Sequence, residues 1–212
     1  HGLAIPKNSL PKAFPNEPVL PLFVDFSTIR YQKISAGYYH SFVLKRNGGL
    51  RAAGKNDDGQ LGDGSTIKRD RFVQVVSGGA LAVAAGERHS LLLKQDGSVW
   101  AAGGNKYGQL GDGSTTDRRR FVKVLTSGAK AVVAGWWHSV LLKQDGSVWA
   151  TGDNAKGQIG DGTRADDRQM FVQSVLSGVK SVAAGTSGSM IIKQDGSVWT
   201  TGGNHYGQLG DG

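Results

Sequence analysis

Three histidines, His40, His89 and His138, recur at steps of 49 residues, each followed by serine. Imidazoles at equivalent positions suit metal ligation or general-base work, since a neutral ring nitrogen serves for either. Four aspartates, Asp63, Asp112, Asp161 and Asp211, recur in Gly-Asp-Gly segments and suggest calcium. Neither chemistry develops. No D-x-D-x-D-G spacing accompanies the aspartates, and turn formation explains them better. A histidine repeated once per unit, with Gly188 in the fourth place, reads as a hydrogen-bonded spacer. Trp100, Trp149 and Trp199 read as packing between units. The chain has no G-x-S-x-G elbow, no phosphate loop, no metal-spaced His/Glu pair and no paired carboxylates outside turns. The expectation is a chain without catalytic residues, metal or cofactor.

Binding chemistry is better represented. The two residues after each Ala-Gly pair change from unit to unit: Tyr38-Tyr39, Glu87-Arg88, Trp136-Trp137 and Thr186-Ser187. Adjacent aromatics in a variable loop are candidates for a partner-binding face, because aromatic side chains anchor interfaces. A second candidate is the run Arg118, Arg119 and Arg120, placed by the sequence in an outer loop and suited to an anion. Aspartates such as Asp117 dilute that positive field, so nucleic acid is the less favoured partner.

The elements that must position these residues are set by repetition. Lys-Gln-Asp-Gly-Ser-Val-Trp stands at 94–100, 143–149 and 193–199, with a worn copy at 45–51. A period of about fifty residues marks a repeat architecture. Glycine, at 33 of 212 residues, is about twice its usual share of roughly 7%. It recurs in register with the repeat, so it marks turns and close packing rather than a flexible linker. Each unit holds a Phe-Val-x-Val run, as at Phe72–Val75 and Phe121–Val124, with an equivalent at Phe23–Phe26. A strand of small residues such as Ala82–Gly86 follows, then a hairpin turning at Asp96-Gly97, expected as a type I′ turn. A glycine-rich segment and a polar loop close the unit. Four short strands with local connections and no helical periodicity describe a propeller blade, so the fold is all-β. Residues 1–22 form a separate arm holding all five prolines, which suits an extended segment lying on another surface.

The pattern A-G-x-x-H-S-x-x-L-K-x-D-G-x-V-W-x-x-G-x-N-x-x-G-Q-L-G-D-G, read from Ala85 to Gly113 and Ala134 to Gly162 and with losses elsewhere, closely resembles the repeat of the regulator of chromosome condensation family. The resemblance covers residues 23–212 and implies a β-propeller or partial propeller, here four blades of four antiparallel strands. Family members are typically seven-bladed. Two arrangements stay open: part of a larger propeller, or a ring of four closed by Phe23–Phe26.

The resemblance also brings nucleotide exchange on a small GTPase, a chromatin or nucleic-acid role, and the tryptophan photoreceptors of this fold. The even 49- and 50-residue steps leave no room for the inserted hairpin that exchange activity resembles. Only Gly135-Trp136-Trp137-His138-Ser139 approaches the photoreceptor motif. The sequence therefore points to a non-catalytic protein-binding scaffold, an accessory subunit docking onto a larger protein assembly, with exchange factor or chromatin-binding protein as the alternative. A formal charge of +8 permits acidic partners without choosing one, and no apolar run reaches the length of a membrane span. The compartment stays open, as does a targeting segment ahead of His1.

Overall fold

The computed structural model describes residues 31–164 and 166–211. The proline-rich arm and the Phe23–Phe26 run lie outside the described residues. Among the described residues all the regular elements are strands, and no helix is long and apolar enough to cross a membrane.

The first sheet takes β1 (Tyr31–Ala36), β2 (His40–Lys45), β3 (Leu50–Gly54) and β4 (Arg69–Val76), paired antiparallel in chain order. The second repeats this with β5 (Ala80–Ala85), β6 (His89–Lys94), β7 (Val99–Gly103) and β8 (Arg118–Leu125). The third uses β9 (Ala129–Ala134), β10 (His138–Lys143), β11 (Val148–Gly152) and β12 (Arg168–Val175). The fourth has three strands among the described residues, β13 (Val179–Ala184), β14 (Gly188–Lys193) and β15 (Val198–Gly202). The small-residue strands β1, β5, β9 and β13 form the inner edges and neighbour one another in sequence.

Three details depart from the sequence expectation. The Phe-Val-x-Val strand closes a blade instead of opening one, with Ala52 opposite Val73, Ala101 opposite Val122 and Ala150 opposite Val172. The Ser77-Gly78-Gly79 turn that follows it is no hairpin; it carries the chain from an outer edge to the next inner strand. The outer strand also starts three residues early, so Arg118, Arg119 and Arg120 lie on β8 and not in a loop. The third departure is the hairpin turn. Gly97 N–H donates to Lys94 O at 3.0 Å and Lys94 N–H to Ser98 O at 2.9 Å. That is a three-residue loop with Gly97 at φ +75°, not a two-residue type I′ turn. The Asp96 carboxylate, accepting from Ser98 N–H at 2.9 Å, stabilises the longer loop.

The apolar core lies between blades. Phe42, Leu44, Leu50 and Ala52 of the first blade pack with Leu92, Val83 and Trp100 of the second. Leu91, Leu93 and Val99 repeat this against Val132 and Leu141, and Val140, Leu142 and Val148 against Val182 and Ile191. A strand buried on both faces explains why His89–Lys94 reads as a continuous apolar run after its first two residues. Truncating Leu93, 1% exposed, to alanine removes about 2–5 kcal/mol.

The glycine-rich segments lock each blade to the next. Leu61, Leu110 and Ile159 are buried at their tips. Asn105 holds its segment closed, accepting from Leu110 N–H at 2.9 Å and donating to Asp112 and Ser114. Gly111 has φ +73°, and a Cβ there would run into the Phe171 ring of the following blade.

Candidate interaction face

The loops joining inner strand to hairpin are short and tightly held. In the first blade Gly37 N–H donates to His40 O at 2.8 Å, and Lys55 N–H to Tyr39 O at 2.8 Å. Gly54, at φ +107°, has no room for a Cβ beside the Tyr39 carbonyl. Tyr38 N–H then reaches across to Gly86 O at 3.2 Å, so the first loop is pinned to the second blade. Trp136 N–H reaches Thr186 O at 3.4 Å in the same sense.

This backbone brings the variable residues of four loops together. Ala36, Tyr38, Ala85, Trp136, Ala184 and Thr186 line a depression of about 300 Å³ floored by Gly37, Gly86, Gly135 and Gly185. Tyr38 stands edge-on to Tyr39 at 4.3 Å and to Trp136 at 5.6 Å. Trp136 meets Trp137 at 5.9 Å, and Trp137 meets Tyr107 at 5.3 Å. Five rings thus form one run from the first blade to the third. Tyr38 and Tyr39 are 52% and 58% exposed. The tyrosines can keep a hydroxyl in water while an apolar ring meets a partner, as interface tyrosines do. Tyr39 beside it, through a hydrogen bond first and its charge second, holds the Tyr38 phenol above its ordinary value.

Glu87 and Arg88 sit in the same face as a charged insert. Arg88 pairs with Glu87 at 3.3 Å and lies 3.7 Å from Asp58. Together with Tyr107, Asp117 and Trp137 they line a groove of about 410 Å³. Burial pushes the Asp58 carboxyl up, and nearby Asp117 adds to this, against the pull of Arg88. Thr186 is exposed and Ser187 half-buried, adding polar surface to the rim. Tyr107 was not legible as part of this face. Its position holds Asp58, Tyr107, Lys156 and Tyr206 across the units, a variability inside an otherwise constant segment that marks it out.

The three arginines differ in their surroundings. Arg118 Nε donates to Asp112 at 2.6 Å and is committed to its own loop. Arg69 with Asp63 and Arg168 with Asp161 repeat the pair. Burial works to raise the Asp112 carboxyl, but hydrogen bonds from Arg118 and Ser114 outweigh it and hold the group below its ordinary value. Arg119 and Arg120 are exposed, with the Arg120 guanidinium lying against Gly64.

The histidines are structural links. His40 Nε2 lies 2.8 Å from Ser90 Oγ, His89 Nε2 2.9 Å from Ser139 Oγ, and His138 Nε2 3.0 Å from Ser189 Oγ. Each serine hydroxyl donates onward to a carbonyl, that of Gln60, Gln109 or Gln158. The serine therefore accepts from an imidazole protonated on Nε2. Burial lowers the three pKa values, to about 4 for His40, about 3 for His89 and about 4 for His138. Among the described residues no group of side chains is arranged to hold a metal ion.

A family model described as the regulator of chromosome condensation (RCC1) repeat matches four times, at residues 31–60, 81–109, 129–158 and 179–208. A second model of that description matches 96–142. No curated protein sequence matches significantly. Among solved structures, human WBSCR16 is 24% identical, with TM-score 0.73 over 82% of this chain and 47% of that one. Yeast RCC1 (Prp20), solved bound to Kap60, is 22% identical, with TM-score 0.75 over 85% and 45%. Prp20p of Saccharomyces cerevisiae, in a structure described with its binding to Gsp1p and histones, is 22% identical, with TM-score 0.71 over 84% and 46%. The chain spans about half the length of these solved chains.

Proposed function

Because the chain belongs to the regulator of chromosome condensation (RCC1) repeat family, we propose that it is a non-catalytic scaffold docking onto a larger protein assembly through its aromatic face. The observation that carries this reading is the ring run Tyr39–Tyr38–Trp136–Trp137–Tyr107, built from loops of three blades. Rigid, partly exposed aromatics around a shallow depression are what a protein partner's anchor residues need, and they lose little side-chain entropy on binding. Glu87, Arg88, Thr186 and Ser187 supply the polar rim. Affinity capture with the intact chain, run beside a Trp136→Ala/Trp137→Ala variant, tests the reading. A partner held by the first and lost by the second supports it; identical captures refute it.

A second reading, nucleotide exchange or chromatin binding, has two observations in its favour. Arg119 and Arg120 are exposed on β8, and a solved relative is described as binding Gsp1p and histones. Under that reading binding falls steeply with salt and with Arg119→Ala/Arg120→Ala, while the tryptophan variant binds normally.

A further inference from the structure

The arginine pairs of this fold come in two kinds. Arg118 with Asp112 and Arg168 with Asp161 close at 2.6 Å and recur at one repeat position. Arg88 is held loosely: its Nε lies 3.3 Å from Glu87 Oε1 and its Nη1 3.7 Å from Asp58 Oδ2. Both separations exceed the span of about 2.7–2.9 Å that a well-made charged hydrogen bond shows. The carboxylates beside it therefore keep oxygens without donors. Asp58 Oδ2 and Glu87 Oε2 are shut off from solvent and accept no hydrogen bond among the described residues. Carboxylate oxygens in that condition are costly, and a donor that reaches them is strongly bound.

Comparison of the units supplies an independent observation at the same place. In the third blade Gln158 Nε2 donates to Asp153 at 2.8 Å. The equivalent pair in the second blade is Gln109 and Gly104, so that carboxylate is absent. Gln109 is 2% exposed, and its Oε1 is taken by Tyr107 N–H at 2.9 Å. Its amide nitrogen lacks the acceptor that Gln158 has. Both Gln109 and Gly104 line the groove of about 410 Å³ that holds Asp58, Glu87 and Arg88. Gly104 leaves that groove open, since a Cβ there would come within 3.3 Å of Arg88 Cβ and 3.6 Å of Asp58 Cβ. The opposite wall is aromatic, with the Tyr107 and Trp137 rings 5.3 Å apart. Lys106 Nζ already lies over Tyr107 at 5.2 Å, so this ring accepts a cation on its face.

We propose that this groove takes a lysine or arginine side chain from a protein partner. The charged head donates to Asp58 Oδ2 and Glu87 Oε2, and the methylene stem lies along Tyr107 and Trp137. A carbonyl of the same segment accepts from Gln109 Nε2. The inference rests on the aromatic face as the docking face, and it adds the chemistry of what docks. Charge supports this occupant. Three carboxylates, Asp58, Glu87 and Asp117, line the groove against two cations, Arg88 and Lys106, a local reversal in a chain of formal charge +8. Burial raises the Asp58 carboxyl, Arg88 only partly opposes it, and Asp117 adds to it. An arriving cation relieves that strain, whereas an acidic segment meets the same unpartnered oxygens and is repelled.

The test titrates the full-length, nitrogen-15-labelled chain with three acetylated and amidated peptides, Gly-Arg-Gly, Gly-Lys-Gly and Gly-Glu-Gly. The Trp137 indole and Asp58 amide signals should shift saturably with the arginine or lysine peptide and stay put with the glutamate peptide. Glu87→Gln and Asp58→Asn, near-isosteric changes checked by an unchanged far-ultraviolet spectrum, should each weaken binding about tenfold, the loss of one charged hydrogen bond. Asp57→Asn removes an equal charge from an exposed side chain outside the groove and should keep affinity within about twofold. No saturable shift with either basic peptide, an equal shift with the glutamate peptide, or equal losses in all three variants overturns the proposal. A partner captured through the tryptophans while neither basic peptide binds refutes this inference and spares the scaffold reading. Peptide binding beside captures that ignore the tryptophans refutes the scaffold reading alone.

Discussion

His89 Nε2 and Ser139 Oγ lie 2.9 Å apart, although fifty residues and a blade boundary separate them. Each of the first three blades thus closes on the next through one imidazole, and the property that follows is acid sensitivity. His40, His89 and His138 have folded pKa values of about 4, about 3 and about 4, below an unfolded value of about 6.5. Between those limits the unfolded chain binds more protons, so stability is full above about pH 6.5 and falls as pH drops towards 4. The slope is about 1.4 kcal/mol per pH unit for each histidine. Urea midpoints should fall from pH 7 to pH 5, and His89→Gln should flatten that dependence; an unchanged slope refutes the link.

Ser139→Ala removes the hydroxyl that serves both His89 and the Gln109 carbonyl. Leaving buried partners unmade costs about 1–3 kcal/mol. Ser41→Ala, at the same repeat position but only half-buried, should stay within about 0.5 kcal/mol. Equal losses in a denaturation series would contradict the inter-blade role.

Gly111→Ala meets two obstacles. The residue has φ +73°, and a Cβ would sit 2.5 Å from the Phe171 ring. Gly207 has the same φ with nothing within 4 Å, so Gly207→Ala carries only the left-handed strain of about 1–2 kcal/mol. Thermal unfolding should place Gly111→Ala clearly below it. Matching melting temperatures would mean that the segment does not lock onto the next blade.

Arg118→Ala strips a hydrogen bond from Asp112, whose side chain is 8% exposed. The expected loss is about 1–2 kcal/mol, against almost none for exposed Arg119→Ala. A reversed order would restore Arg118 as a surface contact residue.

Most of the fold was legible because one period carries it. The 49-residue step, the Asp-Gly turns and the small-residue strands each follow from local chemistry. The blade boundary did not, since the partner of Phe72–Val75 is selected by pairing with Ala52 and no local signal announces it. Within the candidate face, the clustering of Tyr38, Tyr39, Trp136 and Trp137 followed from equivalent repeat positions. Tyr107 joins from a different loop, and such a meeting depends on how far one blade's segment overhangs the next. The commitment of Arg118 to Asp112 was hidden because a run of three arginines looks uniform until the loop folds back and brings the carboxylate to one of them.

The scaffold account turns on the aromatic face. Dissociation constants of the captured partner, measured by calorimetry for the intact chain and for Tyr38→Ala and Trp136→Ala, address it most directly. Each truncated anchor should cost about 2 kcal/mol or more, roughly thirty-fold in affinity, with little change between low and high salt. Affinity untouched by both substitutions, with steep salt dependence and loss on Arg119→Ala/Arg120→Ala, would contradict it.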